Sequence, residues 1–105
     1  APLLPAAQQP LAAPSRGEAA DLAVLQAVAD PLSRLLGAAL WLRSGRASSA
    51  VVALAVDTAS AQGWRRPLLA WLQVQRQQAQ AQGRPDEAAR LQRRIDLVLQ
   101  GGAAP

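Results

Sequence analysis

Glycine recurs in this chain at positions 45, 63, 83 and 101, at intervals of 18, 20 and 18 residues. Glycine is the usual residue just past a helix C-terminus, because it enters the left-handed region without a Cβ clash. Each interval holds one helix of about four turns plus a short connection. The residues between the glycines agree: Ala, Leu, Gln and Arg dominate, and all are good helix formers. No stretch alternates apolar and polar residues as a strand does. Val51, Val52 and Val56 sit among alanines at helical spacing. Pro31, Pro67 and Pro85 each suit a first helical turn, where the missing N–H costs nothing. The punctuation predicts helices over 18–29, 31–44, 47–62, 65–82 and 85–100, with Pro31 either kinking one helix or separating two. The expected fold class is all-α: stacked antiparallel helical hairpins, about two units plus an N-terminal helix.

Side-chain periodicity assigns faces to these helices. In the last one, Ala88, Leu91, Ile95, Val98 and Leu99 form one apolar stripe, while Arg90, Arg93 and Arg94 point elsewhere. Asp86 and Glu87 stand in its first turn, where the helix dipole favours negative charge. Leu68, Trp71, Leu72 and Ala79 form the stripe of the preceding helix. The 47–62 helix is apolar around its whole circumference through Val51–Val56, which marks it as packed on two sides and central to the domain. Ser48 and Ser49 suit its N-terminus. Asp57 interrupts it, where burial would demand an arginine partner or a contact role.

The residue inventory excludes most catalytic chemistry. The 105 residues include eleven arginines and seven acids, for a formal charge of +4, and no Cys, His, Lys, Tyr, Phe or Met. That removes disulfides, thiolate nucleophiles and the usual structural zinc site. It also removes the imidazole base, the Schiff-base lysine and the P-loop lysine. The carboxylates form no strong pair. The chain is therefore expected not to be an enzyme, and to use no cofactor or metal. Arginine without lysine, beside abundant alanine, points to a GC-rich and hence bacterial coding sequence.

The first 16 residues hold Pro2, Pro5, Pro10 and Pro14, which forbid a regular helix and favour extended chain. They are expected to be a flexible Pro/Ala-rich segment, whose Leu3, Leu4 and Leu11 could dock on the domain or on a partner. The helical-hairpin domain is expected over 17–101, with a short tail at 102–105. The longest uncharged runs, Leu35–Leu42 and Ala47–Val56, are too short to span a membrane, which needs about 18 residues. A chain opening without Met is expected to be a processed or trimmed product. The compartment is left open between periplasm and cytoplasm.

Two of the glycine intervals are related by one shift. Gly45 to Gly83 and Gly63 to Gly101 are both 38 residues, and Gly45-Arg46 recurs as Gly83-Arg84. Alanine follows each at the fifth position, as Ala50 and Ala88. With Gly83 at the turn, then Asp86-Glu87-Ala88, then Ile95, the segment Trp71–Val98 resembles the tetratricopeptide (TPR) family. An earlier unit contributes Ala38, Trp41, Gly45 and Ala50 and departs at Asp57. The period exceeds the family's usual length of about 34 residues, and the trailing proline is missing. The resemblance runs over residues 31–100 on degenerate motifs.

The resemblance implies a protein–protein interaction module, serving as scaffold, adaptor or chaperone-like subunit and binding a peptide or helix of a partner. It places the first helix of each hairpin along a groove. Leu32, Leu35, Ala39 and Leu42 would line its apolar part, and Gln73, Gln77 and Gln80 its polar part. Glutamine amides bond an extended backbone without demanding charge, though the same glutamines equally suit an ordinary solvent face. Trp41 and Trp71 read as core, and Trp64, beside Arg65 and Arg66, as an exposed anchor. Nucleic acid is the alternative partner, but acids interleave with the arginines and no Phe or Tyr offers a stacking platform. A purely structural subunit of a larger complex is the other alternative. A Pro/Ala-rich leader before such a module suits a bacterial secretion or envelope assembly.

Overall fold

The computed structural model describes residues 16–101. Residues 1–15 of the expected flexible leader, with Leu3, Leu4 and Leu11, and the expected tail at 102–105 lie outside those residues, while Arg16, assigned to the leader, opens the first helix. The described chain forms five helices: α1 Arg16–Gln26, α2 Pro31–Arg43, α3 Ser49–Gln62, α4 Arg65–Ala81 and α5 Pro85–Leu99. Among the described residues there is no strand.

The helix ends follow from local chemistry. Gly45, Gly63, Gly83 and Gly101 have φ of +76°, +72°, +70° and +77°, the left-handed region that the glycine spacing anticipates. At Gly63 the next N–H, on Trp64, reaches back to the Ala59 carbonyl at 3.0 Å, while the Gly63 N–H bonds Ser60. This closes a Schellman turn, satisfying carbonyls that a helix end leaves orphaned. Arg46 to Trp41 and Arg84 to Ala79 repeat it, each at 2.8 Å. Pro31 and Pro85 occupy first-turn positions of α2 and α5. Ser48 caps α3, its side chain accepting from the Val51 N–H at 3.3 Å.

Pro31 separates two helices rather than kinking one. Asp30 caps α2: its Oδ2 accepts from the Ser33 N–H at 2.8 Å and from the Ser33 hydroxyl at 2.7 Å. The Arg34 guanidinium folds back over the connection, with Nη2 donating to the Val28 carbonyl at 2.7 Å.

The helices stack in series. α2 packs on α3, α3 on α4 and α4 on α5, while α1 lies against both α2 and α3. Neighbours run antiparallel. Arg34 in the first turn of α2 reaches Thr58 near the end of α3. Gln78 near the end of α4 donates to the Ala47 carbonyl ahead of α3. Helix α3 is the centre, with Val51, Val52, Val56 and Ala59 closed off from solvent. Its buried Thr58 is satisfied twice: the hydroxyl donates to the Leu54 carbonyl and accepts from Arg34. Two expected details change. Asp57 is exposed, so its charge carries no burial cost, and Leu99 turns outward instead of joining the α5 stripe.

Candidate functional site

Helix α2, PLSRLLGAALWLR, carries five leucines, more than one packing face can absorb. Leu35 and Ala38 enter the core, and Ala39, Trp41 and Leu42 pack partly against it. Another side is taken by α1. A Cβ added at Gly37 would lie 2.9 Å from Leu25 Cδ2, so the missing side chain leaves room for that terminal methyl of α1. The remaining side is open. Leu32, Leu36 and Leu40, one helical ridge at four-residue spacing, are 55%, 58% and 64% exposed. Arg43 continues this ridge at its C-terminal end and Asp30 stands just beyond its N-terminal end, both exposed. An apolar ridge rimmed by charge is the form that interaction surfaces take.

Helix α4 presents a different face. Arg66, Gln73, Gln77 and Gln80 are exposed and share one side of the helix, opposite the buried Leu68, Leu72 and Ala79. On the inner side Gln75 Oε1, and on the flanks Arg76 Nε and Gln78 Oε1, are buried without a hydrogen-bond partner.

Leu35, Leu42, Trp64, Arg65, Arg66, Gln73, Gln77 and Gln80, the residues expected to meet a partner most directly, therefore do not form one surface. Gln73, Gln77, Gln80 and Arg66 do share a face. Leu35 does not contribute to a surface, because it is 6% exposed and belongs to the core. Leu42 is partly covered by packing on that core. Trp64 is not an exposed anchor: it follows the left-handed Gly63, folds back and packs on the core. Arg65 is occupied within the chain, where its Nη2 donates to the Leu99 carbonyl at 2.9 Å and its Nε to the Val98 carbonyl at 3.2 Å. It neutralises the C-terminal end of α5. The exposed apolar anchors are instead Leu36 and Leu40, which the sequence reading passes over, with Leu32. Five leucines in thirteen residues make two adjacent ridges, and nothing local decides which one turns inward.

Other charges are also engaged. Arg90 pairs with Glu87 at 3.3 Å, one turn apart on α5, as the helix spacing anticipates. Arg94 reaches across to α3, where its Nη2 donates to the Ser60 hydroxyl at 3.4 Å. The Arg46 guanidinium lies 5.7 Å from the centre of the Trp41 ring. The two hydrogen bonds from Ser33 hold the Asp30 carboxyl below the usual carboxylate range.

Among the described residues no group of three or more acidic, histidine or cysteine side chains could hold a metal ion. No described helix is long and apolar enough to cross a membrane. Comparison with protein-family models, with curated proteins and with solved structures finds no match to this chain.

Proposed function

We propose that this chain is a protein–protein interaction module, a TPR-like scaffold, adaptor or chaperone-like subunit of a bacterial secretion or envelope assembly. The observation that carries the reading is the open ridge of Leu32, Leu36 and Leu40 on α2. Half-exposed leucines in line gain about 25 cal/mol for each Å² of apolar surface that a partner covers. The ridge spans two helical turns, the footprint of a partner helix laid along it. The exposed glutamines of α4 offer a second, uncharged hydrogen-bonding face for an extended segment. The residue inventory supports the reading from the other direction, because binding of this kind needs no nucleophile, base or metal ligand.

The test is capture of partners from an extract of the cell that makes the protein, by wild type, Leu36→Glu and Gln77→Ala. A protein held by wild type and reduced tenfold or more by Leu36→Glu is the expected result. Equal retention by wild type and Leu36→Glu would overturn the reading of α2 as a docking face.

A further inference from the structure

We infer that the α2 ridge is covered by a second copy of this chain, with the two α2 helices antiparallel about a two-fold axis at Leu36. The inference rests on the reading of α2 as a docking face and names its occupant.

The ridge is self-complementary in shape. Leu36 is its midpoint, with Leu32 and Leu40 one turn to either side. Antiparallel pairing therefore sets Leu36 against Leu36 of the second copy and Leu32 against Leu40 of the second copy. Interdigitating leucine ridges at a shallow crossing angle, about 20°, keep all three layers in contact. Such an isologous contact closes on itself, so neither copy's ridge is left open.

The ridge is self-complementary in charge as well. Exposed Asp30 stands at one end and exposed Arg43 at the other, both free of the core. In the antiparallel arrangement each Asp30 meets Arg43 of the second copy, at both ends of the contact. In a parallel arrangement each charge would meet its own kind. A two-fold contact on α2 alone is smaller than the roughly 800 Å² per partner of a standard interface. Association is therefore reversible and depends on concentration.

The chain contains no cysteine, so a single introduced cysteine reports only on contacts between copies. Leu32→Cys, Leu36→Cys, Leu40→Cys and, as a control on the exposed glutamine face, Gln77→Cys are treated with a short bis-maleimide. Unchanged far-ultraviolet circular dichroism verifies folding. Leu36→Cys is expected to form covalent dimer at least tenfold faster than Gln77→Cys. A mixture of Leu32→Cys and Leu40→Cys is expected to cross-link faster than either alone, because copies of residue 32 lie about 12 Å apart along the axis. Arg43→Glu, which leaves the leucines intact, should weaken sedimenting dimer several-fold at low salt. Leu36→Cys reacting no faster than Gln77→Cys overturns the second copy as occupant. So does a Leu32→Cys variant that links most readily to itself. Either failure is distinct from failure of the docking reading, which is registered by captured partners that ignore Leu36→Glu.

Discussion

In the α4–α5 hairpin, Leu68, Leu72, Leu91 and Ile95 are buried, and glutamines, arginines and acids occupy much of the outside. In α2, Leu35 is buried while Leu32, Leu36 and Leu40 stand in a row outside. Helix α5 also exposes Leu97 and Leu99, but residues two apart on a helix do not face each other. Single exposed leucines are ordinary on protein surfaces, and an aligned ridge is not. The hairpin is thus close to finished as a folding unit. Helix α2 has spent one face on α3, one on α1, and has a third left over. The contrast separates leucines that hold the fold from leucines that remain available for association.

The largest expected effect breaks or sustains that separation. Leu72→Ala should cost about 2–5 kcal/mol, because it empties a fully buried site. Leu36→Ala should stay within about 0.5 kcal/mol of wild type in dilute solution. Urea unfolding of both variants measures this, and equal losses would erase the distinction.

Next in size is Gly63→Ala, at the turn between the central helix and the hairpin. Its φ of +72° costs an L-residue about 1–2 kcal/mol, with no neighbour within 4 Å to add a clash. A lower thermal midpoint is expected, with no change in association.

Gln75→Leu sharpens the comparison in the opposite direction. Gln75 lies between Leu72 and Ala79 on the inner side of α4, and its Oε1 is buried without a partner. Replacing it removes a desolvation cost and should stabilise the hairpin by about 1 kcal/mol, read as a higher urea midpoint. A loss would show that the hairpin's polar flank is supported in a way that α2 is not.

The smallest effect is a pH dependence at the start of α2. The Asp30 carboxyl is held below its usual range by Ser33. Its contribution is present above the ordinary value of about 3.9 and is lost as pH falls through the lower, folded-state value. Asparagine also caps helices. The stability advantage of wild type over Asp30→Asn should therefore shrink on acidification below about pH 4. An advantage that does not change with pH would contradict this.

Helix α1, with no glycine at its end, runs Arg16–Gln26 and stops short of the expected residue 29. The sequence carries the boundaries of α2 to α5 because those are local chemistry: an αL glycine, a first-turn proline, a capping Ser or Asp. It carries the faces of α4 and α5 because their polar residues leave one apolar stripe to bury. It is mute on α2, where Leu35 and Leu36 are adjacent and the choice depends on how α1 and α3 pack against the helix. Trp64 is legible in part: the residue just after a Schellman glycine commonly makes an apolar contact, and Trp64 packs on the core despite the arginines beside it. Arg65 depends on topology alone, since only antiparallel packing of α4 on α5 brings it to the Val98 and Leu99 carbonyls.

Unfolding of wild type and Leu36→Glu over a hundredfold range of protein concentration tests most directly whether the α2 ridge serves association rather than folding. The wild-type midpoint should rise with concentration, because association stabilises by mass action. The variant's midpoint should stay constant and meet that of wild type at the dilute limit. A wild-type midpoint that ignores concentration, with Leu36→Glu lower at every concentration, would make Leu36 a folding residue and contradict the account.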